Sequence, residues 1–408
     1  MRRVVIIGAG AAGTMAAIFA ASAGAETILL ERTRDGGRKI LISGGGRCNV
    51  LPSMLDESRF ITDSSPNTLR KIVRSWPLAE QKTFFEQDVG IALVEEPEAR
   101  KLFPASHKAR DVRDGLLTLA RRRGAEIRFD VHVTDVVPDG DRWSVTCAGA
   151  PPIEADAVIV ATGGLSVPMT GSDGTGLRVL QKLGHTLHPT YAALTPILAS
   201  PAPYADLAGV SLTVDLTASS GARSAESRGG FLFTHHGYSG PSVLDVSHVV
   251  VRSRADQDTQ PAQLSVRWAP LIDDDWSQRL MPHGVRTVTG AVRAELPDRL
   301  ASMLIASARV PTDRVLSELT REERLRLIAV LVRGPLPWTS DEGYKKAEVT
   351  GGGVSLAEVE PRTLQSRLNA GLYLCGEVLD AFGPIGGYNF LWAWATGRAA
   401  GRGAAAAR

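Results

Sequence analysis

This chain has few cysteines, no long apolar run and little net charge. Only 3 of its 408 residues are cysteines, and they lie too far apart for a metal site or a disulfide framework, which agrees with a reducing compartment. The net charge of +2 argues against a strong overall attraction to nucleic acids, but it does not exclude a local basic patch. No apolar run reaches the length of a bilayer. We therefore expect a cytoplasmic protein that binds neither a metal nor a membrane.

The N-terminus instead carries a complete dinucleotide-binding pattern. The uncharged β-branched run 4–7 predicts a strand, and Gly8, Gly10 and Gly13 follow it as a Gly-x-Gly-x-x-Gly turn. An alanine-rich stretch then predicts a helix, and a second apolar run ends at Glu31. Gly8 permits a tight turn, Gly10 lets a pyrophosphate approach the backbone, and Gly13 lets the helix pack on the strand. The helix N-terminus attracts phosphate, and Glu31 is suited to accept hydrogen bonds from ribose hydroxyls.

A signal peptide is the competing interpretation of this stretch. Arg2 and Arg3 precede the apolar residues, and residues 21–23 (ASA) resemble a cleavage site. We reject this interpretation because three glycines interrupt the apolar stretch at the spacing of a nucleotide turn. Cleavage would also discard half of the βαβ unit.

Glycine-rich sequence of the nucleotide-binding type occupies both ends of the chain. The residues between the two ends have a different composition and a different hydrophobic pattern. From residue 191, proline-rich turns and short alternating strands extend to about residue 268, and a helical block follows over 285–332. We therefore expect an α/β fold in which residues 1–190 and 341–408 form one cofactor-binding domain. Residues 191–340 are expected to form an inserted β-rich and helical domain that serves as a substrate domain or lid.

Several specific strings indicate a family. They are residues 37–49 (GRKILISGGGRCN), 161–164 (ATGG), 232–241 (LFTHHGYSGP), 376–377 (GE) and 386–390 (GGYNF). Together with the N-terminal pattern they resemble the BaiN/YhiN-like flavoproteins, which are often described as aminoacetone-oxidase-like or bile-acid-reductase-like. The resemblance covers nearly the whole chain. It implies a glutathione-reductase-type Rossmann domain that binds FAD noncovalently, together with the inserted domain.

The motif positions and this resemblance assign the residues that are expected to hold FAD. Residues 43–49 offer backbone N–H groups with little side-chain bulk, which suits a flat ring and a pyrophosphate. The acid Glu377 is expected at the ribityl hydroxyls, and the helix that follows Gly387 is expected to direct its N-terminus at the pyrimidine edge of the flavin. The full expected set is Gly8, Gly10, Ala11, Ala12, Gly13, Glu31, Arg32, Lys39, Ser43, Gly44, Gly45, Gly46, Arg47, Asn49, Val133, Ala161, Thr162, Gly163, Gly376, Glu377, Gly386, Gly387, Tyr388 and Asn389.

Three side chains are candidates for the chemistry. Cys48 lies in the glycine-rich loop and is expected to act as an acid or nucleophile, with Arg47 shifting the acidity of its thiol. The alternative is that Cys48 is a small residue that fills a tight loop. His235 belongs to the expected inserted domain, where a structural role is the alternative, and Tyr388 stands at the start of the final helix.

We expect an FAD-dependent oxidoreductase that transfers a hydride between noncovalent FAD and an organic substrate. The resemblance admits reduction of an activated carbon–carbon double bond, oxidation of a small amine, and reduction of uridine to dihydrouridine in ribosomal RNA. A flavin-binding redox sensor without turnover is a further alternative. No second Gly-x-Gly-x-x-Gly follows a strand, so NAD(P)H as an electron donor would dock only transiently at the flavin.

Overall fold

The computed structural model describes residues 1–97, 100–255 and 260–406. The strands are β1 (Arg3–Ile7), β2 (Glu26–Leu30), β3 (Leu51–Pro52), β4 (Leu93–Glu96), β5 (Lys101–Pro104), β6 (Glu126–Arg128), β7 (Val133–Asp139), β8 (Arg142–Cys147), β9 (Ala150–Ala155), β10 (Ala157–Val160), β11 (Leu187–Ala193), β12 (Ile197–Leu198), β13 (Ser211–Ser220), β14 (Arg223–Thr234), β15 (Gly237–Ser239), β16 (Gln263–Arg267), β17 (Gly334–Pro335), β18 (Ser340–Asp341), β19 (Val349–Val354) and β20 (Leu372–Leu374).

The α-helices are α1 (Ala11–Ser22), α2 (Arg38–Ile42), α3 (Pro66–Val73), α4 (Leu78–Phe84), α5 (Ala109–Arg122), α6 (Thr175–Lys182), α7 (Pro241–Ala255), α8 (Asp273–Arg279), α9 (Val288–Arg293), α10 (Asp298–Ser307), α11 (Arg321–Arg333) and α12 (Tyr388–Ala406). The chain divides into two compact units. Unit 1 comprises Met1–Ala192 and Glu348–Arg408, and unit 2 comprises Ala193–Ala347.

A five-stranded parallel sheet forms the centre of unit 1. Its strand order is β20-β10-β1-β2-β6, so β1 lies between strands that come from distant parts of the chain. Val5 pairs with Val158 of β10 on one side and with Ile28 of β2 on the other. Residues 4–7 are buried, which explains why β1 is a continuous apolar run instead of an alternating one.

Three smaller sheets complete unit 1. Their strand orders are β3-β5-β4, β7-β8-β9 and β11-β19, and the pairs in the first two are antiparallel. The short strand β3 follows the glycine-rich loop directly, and its Leu51 pairs with Leu102 of β5. That loop is therefore anchored at its end by a strand that is buried in the core of unit 1.

Unit 2 has its own core around a seven-stranded antiparallel sheet in the order β17-β16-β13-β14-β15-β12-β18. Helix α7 packs on β13 and β14. The core is aromatic: the rings of Phe233 and Trp268 are stacked with centroids 5.7 Å apart, and the hydroxyl of Tyr238 donates a hydrogen bond to the carbonyl oxygen of Pro337 at 2.9 Å. The buried polar end of Tyr238 thus has a partner.

Helices α1 and α12 of unit 1 touch backbone to backbone. A Cβ added at Gly397 would lie 2.3 Å from the carbonyl oxygen of Ala12, and one at Gly401 would lie 2.3 Å from that of Ala16. Real Cβ atoms do not approach backbone so closely, so only glycine allows this packing. None of the helices in the described part of the chain is both long and apolar enough to span a bilayer.

This packing predicts that Gly401→Val lowers the free energy of unfolding by about 1–3 kcal/mol, because the added side chain must push α12 away from α1. Denaturant unfolding of the holoprotein measures the change. Arg402→Ala, at an exposed position of the same helix, is the control and should change stability by less than about 0.5 kcal/mol. Equal stability of Gly401→Val and the wild type would show that the two backbones are not in contact.

Candidate cofactor site

The turn after β1 is built from backbone contacts that exclude side chains. Gly8 has a φ of +102°, and a Cβ there would lie 2.7 Å from the carbonyl oxygen of Ala161. A Cβ at Gly13 would lie only 1.8 Å from the carbonyl oxygen of Gly8. Gly10 differs, because a Cβ there would meet no heavy atom within 4 Å. Gly8 and Gly13 are therefore required by the fold itself, whereas Gly10 leaves open space at the N-terminus of α1.

Glu31 connects the end of β2 to this turn. Its Oε2 accepts a hydrogen bond from the backbone N–H of Ala9 at 2.8 Å, and its Oε1 accepts from the backbone and the hydroxyl of Thr33 at 2.8 and 2.7 Å. The residue is only 8% exposed. The acid therefore fixes the shape of the glycine turn, and it lies where the pattern places a ribose-binding carboxylate.

A basic cavity of about 330 Å³ opens beside Glu31. It is lined by Arg32, Thr33, Arg34, Arg38, Asp130, Pro168, Met169 and Gly171. Arg32 pairs with Asp173 and also donates to the carbonyl oxygen of Gly171 at 3.3 Å. Burial raises the pKa of Asp173, but hydrogen bonds from Thr175 and Arg32 outweigh it and lower the pKa to about 2. This ion pair fixes the position of the guanidinium of Arg32 at the rim of the cavity.

The predicted glycine loop consists of helix α2 followed by a 3₁₀ turn over Ser43–Gly46. Gly44 and Gly45 both have left-handed backbone angles, with φ of +56° and +66°. A Cβ at Gly45 would meet no heavy atom within 4 Å. Successive residues of this kind turn their N–H groups toward one concave side, which suits an anionic or flat ligand. Lys39 and this turn thus belong to two consecutive elements of the chain.

Cys48 does not have the surroundings of a catalytic thiol. Its side chain is fully buried by the protein itself. Burial raises the pKa of the thiol to about 12, although a hydrogen bond with Ser43 lowers it. Reactive cysteines are partly exposed and have a lowered pKa. The structure therefore argues against the expected acid or nucleophile role and favours Cys48 as a residue that fills the loop.

Arg47 does not activate Cys48 either. Its guanidinium pairs with Glu96 at 3.3 Å and lies over the ring of Phe103, 4.3 Å from the ring centroid. The expectation that Arg47 makes the neighbouring thiol more acidic is wrong, because its charge is directed at β4 and β5. About two-fifths of the Arg47 side chain is exposed, so a role in binding an anion stays a prediction.

An ion pair joins the two ends of the chain at the site. Lys39 Nζ lies 2.8 Å from Glu377 Oε2 and 2.6 Å from the hydroxyl of Ser166. Glu377 Oε1 accepts from Ser166 Oγ and from the backbone N–H of Thr350, each at 2.9 Å. Burial raises the pKa of Glu377, but the charge of Lys39 and the hydrogen bonds from Lys39, Thr350 and Ser166 lower it below its usual range. Glu377 is therefore held as a carboxylate.

Helix α12 holds the Gly376–Glu377 turn in place. The backbone N–H of Gly376 donates to the hydroxyl of Thr396 at 3.0 Å, and Trp392 Nε1 donates to the carbonyl oxygen of Gly376 at 3.0 Å. Trp394 Nε1 donates to the carbonyl oxygen of Val50 at 3.0 Å, immediately after the glycine-rich loop. One helix thus positions two of the motifs that are expected to contact FAD.

The polar side chains at the start of α12 have structural roles. Tyr388 is buried; its hydroxyl accepts from the backbone N–H of Asp56 at 3.2 Å and donates to the carbonyl oxygen of Met54 at 3.4 Å. Asn389 uses both ends of its amide on the backbone of Gly383, at 2.8 and 2.9 Å. The structure argues against Tyr388 as a catalytic residue and against side-chain contact of Asn389 with the cofactor, because these polar groups already bind the backbone.

The remaining predicted residues divide between the two units. Residues 161–163 follow β10 and adjoin the turn at Gly8, since the N–H of Ala161 donates to the carbonyl oxygen of Ile7 at 2.9 Å. Val133 is buried at the start of β7, opposite Cys147, and its expected role in holding FAD stays a prediction. His235 is exposed in the turn between β14 and β15 of unit 2, and its catalytic role also stays a prediction.

Sequence reasoning missed four residues that shape the site. Ser166 and Thr350 complete the hydrogen bonds around Glu377, and Trp392 and Thr396 hold Gly376. A signal for Thr350 was available, because glycines follow it in a buried strand and mark a close approach of two backbones. The tryptophan and the threonine on α12 looked like ordinary core positions of a helix.

These residues fit a dinucleotide. The open space at Gly10 lies at a helix N-terminus, where a pyrophosphate is favoured. The Oδ1 atom of Asn49 is buried, and among the described residues it has no hydrogen-bond partner. Glu31 and the Lys39–Glu377 pair supply the two carboxylates that hydroxyl groups of ribose and ribityl require. The chemistry of these residues therefore fits the phosphates and the sugar hydroxyls of a dinucleotide such as FAD.

The comparisons with known proteins show the family of this chain. The profile of the HI0933-like protein Rossmann domain matches residues 2–403. A 3-dehydro-bile acid delta(4,6)-reductase from Clostridium scindens is 32% identical over 411 residues, which cover 99% of each chain. A ribosomal RNA dihydrouridine synthase from Escherichia coli is 30% identical over 96% of this chain and 95% of its own, and one from Haemophilus influenzae is 28% identical over 96% of each.

The fold also has a solved counterpart. The crystal structure of the 3-ketosteroid delta1-dehydrogenase from Sterolibacterium denitrificans, in complex with 1,4-androstadiene-3,17-dione, aligns over 100% of both chains with a TM-score of 0.55 and 12% identity. At that identity the likeness concerns the fold alone. The predicted α/β Rossmann class is confirmed.

Gly10→Val is expected to abolish FAD binding without unfolding the protein, because a Cβ there meets no protein heavy atom within 4 Å and the side chain enters the space assigned to the pyrophosphate. Flavin content after purification and thermal unfolding of the apoprotein measure the two effects. Gly13→Ala is the contrasting variant and should lose stability, since its Cβ collides with Gly8. Normal flavin content in Gly10→Val would place the phosphates elsewhere.

Lys39→Met is expected to weaken FAD binding about tenfold, or about 1.4 kcal/mol, because Glu377 loses the cation that orients it. Glu377→Gln should have a similar effect, and the double variant should lose less than the sum of the two. Titration of each apoprotein with FAD gives the affinities, and Lys39→Arg is the charge-preserving control. Strictly additive effects would show that the two residues act independently.

Proposed function

This chain belongs to the HI0933-like Rossmann family, the BaiN/YhiN group of flavoproteins, and is an FAD-dependent oxidoreductase; from that premise we propose that it reduces a carbon–carbon double bond conjugated with a carbonyl group. FAD, when bound, supplies the hydride chemistry. Residues of unit 1 hold it: the Gly8–Gly13 turn at the pyrophosphate, Glu31 at the ribose, and Glu377 with Lys39 at the ribityl chain.

One observation carries the choice of reaction. The three relatives described above match this chain over more than nine-tenths of its length, and they have two activities: one is a 3-dehydro-bile acid delta(4,6)-reductase, and two are ribosomal RNA dihydrouridine synthases. In a 3-dehydro-delta4 steroid the double bond is conjugated with the ketone, and in uracil the bond that becomes saturated in dihydrouridine is conjugated with a ring carbonyl. The shared chemistry is the addition of a hydride and a proton across such a bond.

The helix dipole of α12 supports reduction. Its first turn begins after Gly387, whose backbone is packed so closely on Leu51 that a Cβ there would lie 2.4 Å from the Leu51 carbonyl carbon. A fixed helix N-terminus favours negative charge near it by about 0.3–1 kcal/mol, and more where it is buried. We assign this end to the pyrimidine edge of the flavin, where reduction places negative charge.

The substrate and the electron donor complete the proposal. We assign substrate binding to residues 191–340, the inserted domain expected from the sequence, and within it we keep the exposed His235 as a candidate for contact with substrate. NAD(P)H is proposed as a donor that docks transiently, since the sequence has no second Gly-x-Gly-x-x-Gly after a strand.

Ribosomal RNA is the second candidate substrate, because two of the reported relatives are ribosomal RNA dihydrouridine synthases. The chain's net charge of +2 provides no bulk attraction to RNA, so binding would depend on a local basic surface. Such binding should weaken steeply with salt. A bile-acid-like enone requires no such dependence, and this difference separates the two substrates.

An anaerobic experiment tests the proposed function. NADPH or NADH should bleach the flavin, and either a 3-oxo-delta4 bile acid or an unmodified ribosomal RNA should restore its absorbance and become two mass units heavier. Gly10→Val, which is expected to lack flavin, is the control for reduction without cofactor. Bleaching by aminoacetone in the absence of NAD(P)H would instead favour amine oxidation. If neither unsaturated substrate reoxidises the flavin, the proposed reaction is wrong.

A further inference from the structure

The reaction proposed above needs a proton donor, and the burial of Cys48 leaves that role without a residue. Reduction of a conjugated double bond adds a hydride to one carbon and a proton to the carbon next to the carbonyl. The proton source has to reach substrate, must carry an ionisable hydrogen, and works best when its pKa is near the working pH. Cys48 fails the first condition because it is fully buried.

Glu348 is an ionisable residue beside the expected cofactor site, and it is not among the residues that the sequence motifs indicate. It directly precedes β19, and its backbone carbonyl oxygen accepts a hydrogen bond from the hydroxyl of Ser166 at 3.3 Å. The same hydroxyl contacts Lys39 and Glu377. The backbone of Glu348 is thus linked through the hydroxyl of Ser166 to Glu377, the carboxylate assigned to the ribityl chain. The residue itself is exposed.

The carboxyl of Glu348 interacts electrostatically with two lysines that contact different parts of the expected flavin site. The charge of Glu348 interacts with Lys39, which binds the ribityl acid Glu377, and with Lys101 of β5. The side chain of Lys101 lies against Gly386 at the start of α12, where a Cβ would be 3.2 Å from Lys101 Cε. Glu348 is therefore within electrostatic range of the groups assigned to the ribityl chain and to the pyrimidine edge.

The protein around Glu348 also favours its protonated form. The residue is exposed, yet protein atoms surround part of its carboxyl. Desolvation there raises the pKa of Glu348 above its usual value, and the charges of Lys39 and Lys101 offset this only in part. The nearby carboxylate of Glu377 is neutralised by its own pairing with Lys39. A carboxyl with a raised pKa retains its proton closer to neutral pH.

We propose that Glu348 is the acid that protonates the substrate, an inference that rests on the proposed function. The O–H bond of its carboxyl breaks while a C–H bond forms at the carbon next to the substrate carbonyl. The hydride and its two electrons originate from a reduced nicotinamide, so the double bond is reduced and the nicotinamide is oxidised. The carboxylate that remains regains a proton from water before the next turnover.

Glu348→Gln is the decisive variant, because it keeps the size of the side chain and removes the acidic proton. Stopped-flow measurement should show reoxidation of the flavin by the unsaturated substrate slowed by about 100-fold or more, while reduction by NAD(P)H changes less than about twofold. Glu348→Asp should retain part of the rate. Glu154→Gln, an exposed glutamate of β9, is the matched control and should behave as wild type. Wild-type reoxidation in Glu348→Gln overturns the proposal.

A second measurement needs no substrate. The absorbance of oxidised FAD in the wild-type holoprotein should change with pH, with a midpoint above the usual pKa of glutamate near 4.5, because a carboxyl beside the ring changes charge there. The change should persist in Glu154→Gln and disappear in Glu348→Gln. If no unsaturated substrate reacts, the proposed function fails while this titration still locates Glu348. A titration that is absent from the wild type, or that survives in Glu348→Gln, overturns the assignment of Glu348.

Discussion

Close approach of backbones around the first glycine turn is the constraint on which unit 1 depends. The turn touches the end of β10 at Ala161, the start of α1 touches the Gly376 turn, and α1 touches α12 at Gly397. A Cβ added at Gly8 or Gly397 would lie 2.7 Å or less from a neighbouring backbone oxygen, and one added at Gly376 would lie 2.8 Å from the Cβ of Ala12. Side chains are thereby excluded from the centre of the site, and a ligand placed there meets peptide groups and helix ends. Such a surface suits phosphates and a flat ring better than it suits an apolar molecule.

The ion pair between Lys39 and Glu377 is the second contact that organises the site, and it joins side chains instead of backbones. Lys39 and Glu377 come from opposite ends of the chain and share one hydroxyl, that of Ser166. A carboxylate this well enclosed is tolerated because its lone pairs are occupied and its charge is balanced. The pair therefore provides a fixed polar point near the glycine turn, which otherwise offers only backbone.

Much of the cofactor site could be predicted from the sequence, because several of its residues lie close together along the chain. The turn at Gly8 and the acid Glu31 lie within one βαβ unit, so their spacing alone determines that they meet. The family resemblance likewise predicted an FAD-dependent oxidoreductase, which is confirmed. The roles of Cys48 and Tyr388 depended instead on burial and on partners distant in sequence, which no spacing reveals. Glu348 escaped notice for a related reason: it is an ordinary charge in the sequence and becomes distinctive only beside Lys39 and Lys101.

The strand order of the parallel sheet also has a consequence for biosynthesis. β1 is made first, but the sheet is completed only by β20, and the turn at Gly376 is held by a helix that extends to Ala406. Unit 2 is one continuous segment with its own core, so all of its residues leave the ribosome before those that finish unit 1. The first half of the cofactor site must therefore wait, with its glycine turn uncovered, until nearly the whole chain has been synthesised, and cofactor binding is among the last events of folding.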